Sequence, residues 1–117
     1  MTAGQDYPSR LVVLLGGRWT LALLAELHDR GHRYQDLHNS LDGISHKVLT
    51  DTLRRAERDG LIVRHLERDG VENATQYQLT ELGRSLDDPL DAFERWVDIK
   101  WDLVEAARRD WDIRTKE

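Results

Sequence analysis

Six polar side chains crowd one short stretch, ISHKVLTDTLRR: Ser45, His46, Lys47, Thr50, Asp51 and Arg54. Hydroxyls, an imidazole, a carboxylate and two cations at such spacing suit the holding of a polyanion better than the making of bonds. Lys47 and Arg54 can neutralise phosphates. Ser45 stands where the free N–H groups of a helix start also favour phosphate. His46, Thr50 and Asp51 can exchange hydrogen bonds with base edges, the carboxylate accepting from a cytosine amino group. Arg64 and Arg68 follow, placed to touch flanking phosphates or a minor groove. On helical pattern alone the same side chains also fit the solvated face of an amphipathic helix.

Other chemistries find less support. His28, His32, Asp36 and His38 lie close in sequence, and His28 and His32 have the four-residue step of a helical metal pair. Gly31 breaks the helix between them, so they read as surface histidines near a turn, and no metal or cofactor is expected. With no cysteine in the chain, a disulfide framework, a thiolate zinc site and a thiol redox switch are excluded. Neither a phosphate loop nor a serine elbow is present, and no nucleophile–base constellation is found, so an enzyme is not expected. No apolar run nears the ~20 residues that span a bilayer. The amino-terminal MTAGQDYPSR lacks the basic start and oily stretch of a signal peptide. A soluble cytoplasmic protein is the expectation.

The charge is uneven. The whole chain of 117 residues carries a formal −5, yet Ile44 to Arg68 holds six bases against four acids, whereas from Glu81 onward seven bases face eleven acids. A local basic patch can attract a polyanion on an acidic molecule, because salt confines its field to about 10 Å.

The polar stretch needs elements to position it. SRLVVLLGGRW reads as a short apolar helix with Ser9 as its cap, closed by Gly16-Gly17; Thr20 is the expected cap of the next helix, with Leu23, Leu24 and Leu27 at helical spacing. HRY suggests a very short strand, and YQDLHNSLDG a short helix with Leu37 and Leu41 inward, ending near Gly43. Ile44, Val48, Leu49, Leu53 and Ala56 recur at three- and four-residue steps, the apolar side of the helix in question, and Gly60 ends it. LIVRHLE and ATQYQLT look like two strands of a hairpin turning at Asp69-Gly70. Thr80 caps a short helix. Asp88-Pro89 reads as the cap and first position of a final helix, or Pro89 as a kink in one continuous helix.

Two short helices, a glycine turn between them and a hairpin behind them give the layout of a winged helix-turn-helix. The fold expected is mainly α with a small β-hairpin, one domain over residues 1–117. LLGGRWTLALLAEL, RYQDLHNSLDGISHKVLTDTLRRAERDGLIVR and YQLTELGRSL further resemble the HxlR family of bacterial winged-helix transcription regulators, in order and at the family's spacing from Leu14 to Trp96. The resemblance implies a homodimer held by the first and last helices, binding double-stranded DNA at a two-fold site. Oxidant- and aldehyde-sensing members commonly carry a cysteine before the proline of the first helix; here Tyr7-Pro8 occupies that place. Asp51 and the wing sequence DGVEN, with Asp69 and Glu72, also depart from the neutral or basic residues frequent in the family, and an acid facing phosphate lowers affinity.

The final helix carries Leu90, Phe93, Val97, Trp101, Val104, Ala107 and Trp111 near a heptad spacing, a stripe suited to a partner helix. With Leu11 and Leu14, the residues Leu90, Phe93, Val97, Trp101 and Val104 are the expected dimer contacts, and 89–112 the dimerisation helix. Trp19 is expected in the core. Trp96, Trp101 and Trp111 either pack that interface or wall a pocket between subunits for a small aromatic effector. The expected function is a homodimeric regulator on an inverted-repeat operator. The alternative is a winged-helix dimer that binds a small molecule or protein partner, with weak or no DNA binding.

Overall fold

The computed structural model describes residues 10–66 and 75–116. The chain divides into two compact units, Met1–Ser85 and Leu86–Glu117. In the first unit residues 10–15 form α1, and the Ser9 cap expected for it lies outside the described residues. Helix α2 spans Thr20–Glu26. Thr20 does not cap it: the N-cap position is Trp19, without a side-chain bond, and Thr20 is the first helical residue, buried beside Gly17. Its N–H reaches the Gly17 carbonyl at 3.3 Å, so a main-chain turn opens the helix in place of a hydroxyl. Trp19, expected in the core, is half-buried, with the Arg18 guanidinium 5.0 Å from its ring centroid.

Strand β1 (His32–Arg33) leads directly into helix α3 (Tyr34–Ser40), whose Leu37 is fully enclosed. The chain then turns at Gly43 with φ +87°, the left-handed conformation that glycine adopts without a Cβ clash. Helix α4 runs His46–Arg58. Ser45 caps it, Oγ accepting the Val48 N–H at 3.1 Å. At its other end Gly60 (φ +78°) donates to the Glu57 carbonyl and Leu61 to that of Ala56, both at 3.0 Å. Those two bonds satisfy main-chain carbonyls that a helix end leaves open. Ile44, Leu49, Leu53 and Ala56 face the core as their spacing predicts. Val48 is 37% exposed, against expectation: it lies at the margin of the apolar arc, and Thr52 occupies the enclosed position instead. The Thr52 hydroxyl is satisfied by donating to the Val48 carbonyl at 2.7 Å, so its burial leaves no orphan polar group.

Strands β2 (Ile62–Leu66) and β3 (Thr75–Leu79) pair antiparallel, with β3 central in the order β1-β3-β2. The expected turn at Asp69-Gly70 lies outside the described residues. Helix α5 (Glu81–Arg84) is capped by Thr80, whose Oγ accepts the Gly83 N–H at 3.0 Å and donates to the Gly60 carbonyl. The Thr80 N–H donates to the Leu61 carbonyl at 3.0 Å. One threonine thus ties the end of α4 to the start of α5. The core of this unit centres on Leu23, Leu27, Leu37, Leu49 and Leu53, all 2% exposed or less.

The second unit is one helix, α6, Asp87–Thr115, 29 residues and so about 43 Å long. It begins before the expected Asp88-Pro89 boundary. Leu86 holds the N-cap position without a side-chain bond, and the first helical bond runs from the Leu90 N–H to the Leu86 carbonyl at 3.0 Å. Pro89 therefore sits inside the first turn, where its missing N–H costs nothing. Ser85 and Leu86 form a turn between α5 and α6, so the two are separate helices and not one helix kinked at Pro89. No residue of α6 is buried, and Phe93, Trp96, Ile99, Trp111 and Ile113 are more than half exposed. Among the described residues no helix is long and apolar enough to cross a membrane.

Candidate nucleic-acid interface

Helix α4 is enclosed on one side and open on the other, and that division places the six candidate residues. Ser45, His46, Lys47, Asp51 and Arg54 are exposed, and Thr50 is half-buried. Lys47 Nζ lies 3.1 Å from Asp51 Oδ2, one helical turn along. An exposed pair of this kind contributes only about 0.3–0.5 kcal/mol, so Lys47 can exchange its carboxylate for a phosphate at little cost. Arg54 forms no ion pair among the described residues. It lines a shallow open groove of about 490 Å³ with Val48, Asp51 and Arg55. Val48 thereby gives the open side an apolar spot that sequence reasoning had assigned to the core.

His46 and Thr50 are held from α3. The Tyr34 hydroxyl lies 3.0 Å from His46 Nδ1 and 3.3 Å from Thr50 Oγ1, and donates to the His46 carbonyl at 3.2 Å. The His38 and His46 rings stack with centroids 3.8 Å apart and planes 4° from parallel. The Tyr34 ring also stacks on His46, at 5.8 Å and 12°. Tyr34 and His38 are the residues sequence reasoning missed as parts of this surface. Their separation from His46 follows no helical or strand period. Only the crossing of α3 and α4 brings them together. His28 and His32, grouped with His38 in sequence, take no part in this stack, and among the described residues no group of three metal-ligating side chains exists.

On the wing, Arg64 Nε donates to Glu57 Oε2 of α4 at 3.0 Å, so this cation is already engaged. Arg68 lies outside the described residues. Arg64 pairs across β2–β3 with Tyr77, and His32 pairs with Tyr77 from the other side. Burial raises the Tyr77 phenol above its usual 10.0, with the Arg64 charge opposing the rise and Glu57 adding to it. A folded value above the unfolded one means that the contribution to stability is complete below the unfolded value and is lost as pH rises through the folded one. In an ultraviolet titration of the three tyrosines, the last phenol to ionise is expected to vanish in Tyr77→Phe.

The indoles on α6 do not share one face. At 100° per residue, Trp101 lies about 140° around the helix from Trp96, whereas Trp111 lies about 60° from Trp96 but roughly 22 Å further along. Trp101 donates its indole N–H to Glu105, and the Arg108 guanidinium lies 5.0 Å from its ring centroid. Arg114 sits 5.8 Å from the Trp111 ring.

A capped helix with an open polar side, a preceding helix across its start and a three-stranded wing define a winged helix-turn-helix protein. Comparison with known proteins agrees. The model of the HxlR-like helix-turn-helix family matches residues 14–104, and the chain belongs to that family. The HTH-type transcriptional regulator YtfH of Escherichia coli K12, uncharacterized, is 31% identical over 105 residues, 89% of this chain and 82% of YtfH. A MarR-family transcriptional regulator from Enterococcus faecalis V583, known as a crystal structure, is 31% identical with a TM-score of 0.72, covering 92% of this chain and 94% of its own. The redox regulator HypR in its reduced form is 28% identical with a TM-score of 0.77, covering 86% and 98%. The chain is therefore a transcriptional regulator of the winged-helix type, like the relatives it matches.

Proposed function

We propose that the protein acts as a homodimer on an inverted-repeat operator, with α4 of each protomer in a major groove about 34 Å from its twin. The observation that carries this reading is the capped start of α4, where Ser45, His46, Lys47, Thr50, Asp51 and Arg54 stand outward while Leu49, Leu53 and Ala56 fix the helix to the core. Lys47 and Arg54 supply phosphate contacts, and Ser45 adds the helix start. His46, Thr50 and Asp51 address bases, and Val48 offers apolar surface for a thymine methyl. Arg64 and Arg68 reach flanking backbone. Residues 1–117 act as one winged-helix domain whose helix 89–112 pairs with that of a second copy through Leu90, Phe93, Val97, Trp101 and Val104, joined by Leu11 and Leu14 of the first helix. Because the indoles point to different sides of α6, a small aromatic effector would need Trp96, Trp101 or Trp111 from both copies. It would act by favouring one spacing of the reading helices over another. Without cysteine, oxidation of a thiol is no part of that response.

Two ion pairs favour a second reading. Asp51 on Lys47 and Glu57 on Arg64 cancel two of the cations that phosphate would need. In that case the dimer binds a small molecule or protein and grips DNA weakly or not at all. Fluorescence anisotropy with the DNA upstream of the protein's own gene, titrated with salt, separates the two. Under the first reading, affinity falls steeply with salt. Lys47→Ala or Arg54→Ala weakens all duplexes alike and flattens the slope by about 0.9 for each phosphate that is no longer neutralised. His46→Ala instead changes site preference, by about 1–3 kcal/mol. Affinity that ignores salt, and is untouched by all three substitutions, favours the second.

A further inference from the structure

The Tyr34 hydroxyl meets three groups of α4 but carries one proton and two lone pairs. Its shortest contact, 3.0 Å, is to His46 Nδ1. A carbonyl only accepts, so the arrangement that satisfies all three contacts has the phenol donating to the His46 carbonyl while Nδ1–H and the Thr50 hydroxyl donate to the phenol oxygen. A neutral His46 whose Nδ1 donates carries no proton on Nε2, which is then an acceptor. The stack on His38, 3.8 Å away and nearly parallel, holds the imidazole plane from one side. The ring is exposed in spite of these contacts.

We propose that Tyr34 is a specificity-determining positioning residue. By accepting from Nδ1 it fixes His46 as the Nδ1–H tautomer, so that the first turn of α4 presents a hydrogen-bond acceptor, Nε2, to the major groove. An acceptor there takes the amino groups of adenine and cytosine and leaves purine N7, guanine O6 and thymine O4 without a partner. Discrimination follows from that mismatch, because a base acceptor facing Nε2 loses its hydrogen bond to water and gains none. Fixing the ring before binding also removes part of the ordering cost at the interface. This inference rests on the proposed groove-reading role of α4.

Two measurements on the full chain test it. Long-range proton–nitrogen correlation spectra of the imidazoles, with His46 assigned by His46→Gln, read the tautomer in the free protein above the titration of histidine. Wild type is expected to show Nδ1–H alone, and Tyr34→Phe, which keeps the ring stack and loses the hydroxyl, a mixture. An Nε2–H signal in wild type overturns the proposal, and this arm stands even if Tyr34→Phe does not fold. The second arm measures affinity for a series of operators altered one base pair at a time. Wild type is expected to prefer an amino group over an acceptor at one base by about tenfold. Tyr34→Phe is expected to lose that preference with its salt slope unchanged, which a merely structural role would not produce. Discrimination intact in Tyr34→Phe overturns the role of Tyr34 alone. Wild type that binds every duplex alike overturns the groove-reading role of α4, and the specificity role with it.

Discussion

Replacing Val97 and Val104 together by Asp is expected to lower operator affinity by about two to four orders of magnitude while α2 to α5 keep their fold. The two positions lie seven residues apart and so recur on one face of α6. Burying two carboxylates in a helix–helix seam without partners is prohibitive, so the variant should run as a monomer in sedimentation. A dimer gains on a two-fold site because the second protomer binds at a high effective concentration, and a monomer forfeits that factor. The acids sit on α6, far in sequence from Lys47 and Arg54. A matching loss for a single half-site would mean that the change acts on α4 and not on pairing. Unaltered sedimentation of the double variant would remove α6 as the dimerisation element.

Gly83→Ala is expected to destabilise the first unit by about 3 kcal/mol, a large share of the 5–15 kcal/mol that holds a typical domain. A Cβ at Gly83 would stand 2.2 Å from the Leu61 carbonyl oxygen and 3.2 Å from Leu79 Cδ2. That carbonyl cannot retreat without breaking its bond from the Thr80 N–H, and Thr80 in turn holds Gly60 and caps α5. Gly43 offers the contrast. It has φ +87° and nothing within 4 Å of an added Cβ, so Gly43→Ala carries only the left-handed backbone penalty, about 1–2 kcal/mol. Urea unfolding of both variants measures the difference. Equal losses at the two glycines would show that the Gly83–Leu61 approach relaxes and does not constrain the fold.

Much of the architecture was legible because its signals are local. Ser45 before an apolar period, Gly60 after it and Thr80 before a short helix each act within a few residues, and each is found where the sequence puts it. Where the structure differs, a local rule met a longer-range one. Thr20 yields its capping position to a turn over Gly17. Val48 lies at the margin of the apolar arc, so its spacing from Ile44 and Thr52 could not tell surface from core.

The sequence by itself determined that the chain folds as a winged helix-turn-helix, that α4 carries a hydroxyl, imidazole and cation face, and that the chain has no thiol chemistry. Tertiary structure alone decided what that face touches. Tyr34 reaches His46 and Thr50, His38 lies against His46, Glu57 takes Arg64, and β1 joins β3 across more than forty residues. Periodicity reports which side of an element is apolar, since burial of that side drives folding. The partners of the polar side depend on the angle and register at which elements cross, and those are set by packing among residues distant in the chain.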